Sequence, residues 1–203
     1  MKIALIGVTG NVGSRLLAEL LRRGHEITGI ARHAERLPSQ PHVTLKNADA
    51  NEADSLAKVL IGHDAVISTA RFSSLKPQPL LAAIKTAAVT RLLVVGGAGS
   101  LEVAPDVQLI DTPDFPPAYK PEAQAGRDFL NTLRDESELD WTFLSPSAIF
   151  VPGERTGKFR LGTNQLLIGE DGESRISMED YSIALVDELE TPRHLQQRFT
   201  VGY

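Results

Sequence analysis

Short apolar runs of four to six residues recur along the chain, and between them apolar residues return every three or four positions. That alternation predicts parallel βαβ units rather than a sandwich. Ile3-Ala4-Leu5-Ile6 reads as a strand covered on both faces, because such a strand is continuously aliphatic. Leu16, Leu17, Leu20 and Leu21 then form a helical stripe that Gly24 stops, and residues 26–31 read as a second strand. Residues 43–47 predict a third strand and 65–69 a fourth, with Leu56, Val59, Leu60 and Ile61 as the apolar face of a helix between them. Leu80, Leu81, Ile84 and Ala88 mark the next helix, and residues 91–96 the fifth strand.

The second half is less regular. Residues 100–121 are rich in proline and poor in periodicity, which predicts an exposed excursion starting where ligands meet open α/β sheets, beyond the carboxyl ends of the strands. A helix through Phe129, Leu130 and Leu133 leads to a strand over 141–145 that Pro146 ends. Two weakly alternating runs, 158–161 and 165–168, read as a hairpin. Ser177 and Asp180 give a helix-start signature for an amphipathic run reaching about residue 190, and 198–201 reads as the last strand. The expectation is one unit over residues 1–203: a Rossmann-type, doubly wound α/β fold. Its mostly parallel sheet has about seven strands with helices on both faces, and insertions at 100–121 and 147–176 supply a small C-terminal substrate region.

The break after the first strand carries the chemistry. Gly7-x-x-Gly10-x-x-Gly13 is followed by helical sequence and, about 20 residues on, by a second strand, the context that makes a glycine trio a phosphate-binding turn. Glycine permits the sharp turn, lets backbone approach a pyrophosphate and lets the helix pack close to the strand. Free N–H groups at the helix start then face the anion.

Composition narrows the classes. With 203 residues, 42% apolar, the chain suits one substantial core, and without cysteine it has neither disulfides nor thiolate chemistry. A net charge of −5 gives no electrostatic case for nucleic acid. No apolar run reaches membrane-spanning length, and the first strand lacks the flanks of a secretory leader, so a cytoplasmic protein acting on small molecules is expected. Its five histidines are scattered without carboxylate partners at metal-ligand spacing, so no metal is called for.

If the turn holds a pyrophosphate, the end of the second strand meets the adenosine ribose. An acid there would bind the 2′-hydroxyl, whereas an arginine accommodates a 2′-phosphate. This chain offers Arg32, His33 and Arg36, while Glu26 opens the strand at the wrong end, so NADP(H) is favoured with NAD(H) as the alternative. An arginine in a connector is otherwise an ordinary solvated group. Asp49 and the backbone of Ala50 follow the third strand where adenine would lie, although an aspartate near a helix start is also favoured by the dipole. Ser68, Thr69 and Ala70, small residues ending the fourth strand, permit close approach of a cofactor.

These motifs, with Gly29-Ile-Ala-Arg32, Asn47-Ala-Asp49, Val66-Ile-Ser-Thr-Ala70, Val94-Val-Gly-Gly-Ala-Gly-Ser100 and Trp141-Thr-Phe-Leu-Ser-Pro146, resemble the atypical short-chain dehydrogenase/reductases that bind NAD(P)H. The resemblance is nearest to the NADH-flavin reductase and biliverdin reductase B-like members, and it spans essentially the whole chain. It implies that Gly7, Thr9, Gly10, Asn11, Val12 and Gly13 form the phosphate loop, Arg32 meets the 2′-phosphate, and Asp49 and Ala50 meet adenine. Pro146 and Ser147 fall where such proteins pass backbone near the nicotinamide.

One departure matters. The catalytic short-chain enzymes carry Tyr-x-x-x-Lys, but here Tyr119 is followed four residues later by Ala123. Lys120 is its neighbour, about 100° away around a helix, and does not inherit the lysine's role. Reduction of a flavin or quinone asks less of the protein, because the product anion is delocalised and water can finish protonation. Ser100 and Tyr119 are the candidate hydrogen-bond donors to such an anion, each with a plain structural alternative: a turn hydroxyl and a packed ring. Phe72, Phe115 and Phe150 offer either an aromatic wall or core packing, and Arg71, Arg155 and Lys158 either attraction for an acidic substrate tail or solvated charge. The reading is therefore an NAD(P)H-dependent reductase of a small planar acceptor, monomeric or homodimeric. Its rivals are a non-catalytic NADP(H) sensor resembling the NmrA-like regulators and an epimerase or dehydratase relative.

Overall fold

The structure is a computed structural model describing residues 1–203. Twelve strands and five α-helices follow one another as β1 (Lys2–Ile6), α1 (Asn11–Arg22), β2 (Glu26–Ala31), β3 (Val43–Asn47), α2 (Ala53–Leu60), β4 (Ala65–Ser68), α3 (Pro77–Thr86), β5 (Arg91–Val95), β6 (Glu102–Ala104), β7 (Val107–Gln108), α4 (Lys120–Arg134), β8 (Asp140–Pro146), β9 (Ile149–Val151), β10 (Arg160–Gly162), β11 (Arg175–Ser177), α5 (Met178–Glu190) and β12 (Gln197–Gly202). The main sheet has the order β10-β12-β8-β5-β4-β1-β2-β3. All its pairings are parallel except that of β10 with β12. Strand order reverses between β1 and β4, the crevice in which ligands of doubly wound sheets bind.

Alternate residues of each strand feed two cores. Ala4, Ile6, Val66, Leu92 and Phe143 face α2, α3 and α4, while Ile3, Leu5, Ile67, Leu93 and Leu144 face α1 and α5. Burial on both faces is why these strands read as unbroken aliphatic runs. Each fully buried large aliphatic contributes about 1.5–3 kcal/mol.

Several expectations change, among them Ala88, which lies exposed beyond the end of α3 with φ +55°. The runs at 158–161 and 165–168 do not form a hairpin: β10 instead extends the main sheet as an eighth strand against the chain's last strand. The two ends of the 147–176 insertion pair as a separate parallel ribbon, β9 with β11, and the proline-rich 100–121 segment contains the small antiparallel pair β6–β7. Ile61 is not on the apolar face of α2 but lies beyond its end, 66% exposed. No helix is long and apolar enough to cross a membrane.

Candidate dinucleotide site

Gly7 leaves β1 with φ +84°, donating its N–H to the Ile30 carbonyl at 2.8 Å. A side chain there would run into Thr69, and one at Gly13 would run into the Gly7 carbonyl. The first glycine therefore makes the turn, and Gly13, buried, lets α1 close onto it. Gly10 sits at the N-cap of α1 in extended conformation, its N–H 2.9 Å from the Gly7 carbonyl, and with no side chain it leaves the helix start uncapped. Thr69 fixes the turn from β4, its hydroxyl 3.0 Å from the carbonyls of both Ile6 and Gly7. Such a helix start presents donors and a positive dipole end to an anion.

A cleft of about 660 Å³ opens beside this turn, at the carboxyl ends of β1 to β4. Gly7, Thr9, Gly10, Arg32, Asp49, Ala50, Thr69 and Ala70 line it, as do His33 and Arg36. Arg32 and Arg36 are exposed and pair with no carboxylate. Asp49 accepts the Asn51 N–H through one oxygen at 2.9 Å, which leaves the other free. Asn11, Val12 and Gly13 lie at the start of α1 outside the lining, and Ser68 is buried in β4 with its hydroxyl unpartnered.

Lining residues that the sequence reading did not name as cofactor neighbours include Ile6, Leu37, Asn51, Arg71, Ser74 and Leu75. Arg71 stands in this cleft rather than at the acceptor end. Its place just past β4, beside the small residues Thr69 and Ala70, is the signal that could have found it.

The carboxyl ends of β5 and β8 look different. A side chain at Gly96 would strike the Phe143 ring, and Gly99 packs on Ala123 of α4. Ser100 is buried, and its hydroxyl faces the Arg198 guanidinium at 3.4 Å. Arg198 also reaches Asn164 at 2.9 Å, and burial pushes its pKa down to about 10. Pro146 is buried within β8, and the buried Ser147 hydroxyl donates to the Val201 carbonyl at 3.0 Å. Tyr119 is 67% exposed at the start of α4, neither packed beneath the proline-rich loop nor lining the cleft. Phe72 stacks on Phe143 and packs at a tilt against Phe129 in the core, and Phe150 lies against Tyr181. Tyr181, fully buried, donates to the Leu144 carbonyl at 2.7 Å, and burial pushes its phenol well above the ordinary range. Its proton is turned into the sheet.

Carboxylates of α1 and α5 pin the 152–158 segment that follows β9. Asp180 accepts the N–H groups of Thr156 and Gly157 at 2.8 Å and the Tyr203 hydroxyl at 2.8 Å. Glu179 takes the Gly153 N–H at 2.8 Å. Arg155 reaches across to Glu19 of α1 through two bonds of 2.9 Å, so it is an anchor rather than a free charge, whereas Lys158 stays exposed.

A switch-point crevice, a glycine turn feeding an uncapped helix, and cations at the end of β2 together define a dinucleotide-binding protein of Rossmann type. The chain belongs to the family described as NAD(P)H-binding, whose model matches residues 7–192. A Bacteroides thetaiotaomicron protein proposed to be an epimerase is 44% identical over all of this chain and 96% of its own, with a TM-score of 0.95. A Streptococcus pneumoniae protein proposed to be an NADH-flavin reductase is 36% identical over 100% and 99% of the two chains, with a TM-score of 0.84. A Burkholderia pseudomallei protein proposed to be exported is 45% identical over the whole of both chains, with a TM-score of 0.91. The resemblance to atypical short-chain dehydrogenase/reductases is borne out by these matches. They support an NAD(P)-dependent oxidoreductase without fixing its acceptor.

Proposed function

We propose that the protein is an NADPH-dependent oxidoreductase that reduces a flavin, a quinone or a similar small planar acceptor. We place it in the cytoplasm, where reduced dinucleotide is supplied. The observation that carries the cofactor preference is the pair of unpaired guanidiniums, Arg32 and Arg36, beside a cleft whose only acid is Asp49. Guanidinium matches phosphate oxygens in paired hydrogen bonds. Gly7 and Gly10 would admit the pyrophosphate, Arg32 and Arg36 the 2′-phosphate, and Asp49 and Ala50 the adenine. The bound dinucleotide supplies a hydride; the protein's part is to orient two rings and exclude water. The carboxyl ends of β5 and β8 offer small residues and backbone for that work, which suits an acceptor whose product anion is delocalised.

The test follows NADPH loss by absorbance with a panel of flavins and quinones. Turnover with at least one planar acceptor, and a preference for NADPH over NADH that Arg32→Ala removes, is the expected result. A second reading, a non-catalytic NADP(H) sensor, is favoured by one observation: the Ser100 hydroxyl points to Arg198 and Tyr119 points to solvent. Tight dinucleotide binding without turnover on any acceptor would select it.

A further inference from the structure

We propose that Glu122 is a positioning residue for the dinucleotide: its carboxylate, on α4, holds the cleft wall formed by residues 71–75. This rests on the family's NAD(P)H binding and not on the acceptor chemistry. Most of the cleft is built from strand ends and the glycine turn, which the sheet itself makes rigid. The wall carrying Arg71, Ser74 and Leu75 is different, because β4 stops at Ser68 and α3 starts only at Pro77. Between them lies a single 3-10 turn, Phe72–Ser74, with Arg71 at its N-cap.

Outside contacts hold that turn. One oxygen of Glu122 accepts the Phe72 N–H at 2.7 Å and the other accepts the Ser73 N–H at 3.0 Å. A carboxylate on backbone N–H groups is roughly twice as strong as a neutral acceptor. The Phe72 ring is seated on Gly126, one turn further along α4, where an added methyl would come within 2.9 Å of it. From the opposite side Asn51 donates to the Ser74 carbonyl at 2.9 Å and accepts the Lys76 N–H at 2.7 Å.

Glu122 itself does not line the cleft. Its bonds fall on the two residues that follow Arg71, so their loss frees the backbone that carries this lining residue, which pairs with no carboxylate. α4 directly follows the 100–121 excursion, so the same helix carries that excursion's end and grips the cofactor wall. The contact spans 50 residues of sequence.

The test is an NADPH titration of the full chain by fluorescence, without any acceptor, for Glu122→Ala, Glu122→Gln, Arg71→Ala and the double variant Arg71→Ala/Glu122→Ala. Glu122→Ala is expected to raise Kd about tenfold, and Glu122→Gln by less, because an amide keeps only one acceptor oxygen. In the Arg71→Ala background the same Glu122→Ala change is expected to move Kd less than about twofold, since a residue acting through Arg71 has nothing left to position. A wild-type Kd in folded Glu122→Ala overturns the proposal. So does full multiplication of the two single effects, which a general loss of stability would produce. Should Glu122→Ala not fold, a wild-type Kd in Glu122→Gln overturns it equally. Failure of every acceptor to turn over would sink the reductase reading and leave this titration intact.

Discussion

The two halves of the sheet's carboxyl edge treat polar groups in opposite ways. At the end formed by β1 to β4, Arg32, Arg36 and Arg71 stand in an open cleft without carboxylate partners, beside an uncapped helix start. At the end formed by β5, β8 and β9, hydroxyls turn inward: Ser100 to Arg198, Ser147 to the Val201 carbonyl, Tyr181 to the Leu144 carbonyl. The 152–158 segment that follows β9 is pinned by Glu19, Glu179 and Asp180. The first half is prepared to receive charge, because unsatisfied donors gain most when an anion arrives. The second is prepared as a wall, in which Ser147 and Tyr181 donate to backbone carbonyls and Ser100 accepts from Arg198.

The sharpest way to break that contrast is to fill the turn. Gly13→Val places carbon where the Gly7 carbonyl lies, so α1 must retreat from β1. Overpacking of this kind costs about 3 kcal/mol or more, and it acts on the donors meant for the pyrophosphate. NADPH affinity measured by titration should fall at least about 100-fold, with the main sheet still folded by circular dichroism.

The pinned half is tested by Glu19→Gln. Glu19 is 2% exposed, and its carboxyl is held below the ordinary range first by Arg155 and then by Arg23, against the opposing effect of burial. Its folded pKa lies below its unfolded one. The stabilisation is therefore complete above the unfolded value, near 4.5, and is lost as pH falls through the depressed folded value. Glu19→Gln should lower stability by about 2 kcal/mol at neutral pH and flatten the fall in Tm as pH drops below the unfolded value. NADPH affinity should change less than about twofold, because the broken contacts tether the 152–158 segment.

Arg32→Ala tests the open half by selectivity. Removing a charge-assisted contact to a phosphate costs about 1.5–2 kcal/mol. The NADPH affinity should fall about tenfold or somewhat more, with NADH affinity held within about twofold. Equal loss for both dinucleotides would move the 2′-phosphate to another group.

The open half was also the more legible in the sequence. Gly7, Gly10, Arg32, Asp49, Ala50, Thr69 and Ala70 all sit just past strand ends, so finding the strands finds these residues, and the strands declare themselves by unbroken aliphatic runs. Residues joined by tertiary contacts left no such trace. Glu122 meets Phe72 across 50 residues, and Ser100 meets Arg198 across 98, distances over which no local pattern carries information. The same limit produced the hairpin at 158–168. Two short apolar runs around Gly162 suit one another locally, yet β10 pairs with β12 some forty residues on. Strands of three residues, such as β9 and β11, are too short for period-two alternation to show.

The smallest effects should come from the two groups that sequence pattern alone ranks highest for catalysis. Tyr119 is 67% exposed and forms no side-chain hydrogen bond to the site, so Tyr119→Phe should leave NADPH oxidation within about twofold of the parent. Ser100→Ala should behave differently, removing a buried hydroxyl that faces the guanidinium of Arg198. That guanidinium keeps the Ser100 carbonyl and Asn164, so the expected cost is about 1 kcal/mol of stability, read in urea, with kcat unchanged. A drop of tenfold or more in kcat for either variant, at unchanged NADPH affinity, would show that the wall opens during turnover and brings a polar group to the acceptor. The two halves of the edge would then differ in when they present their donors rather than in whether they have them.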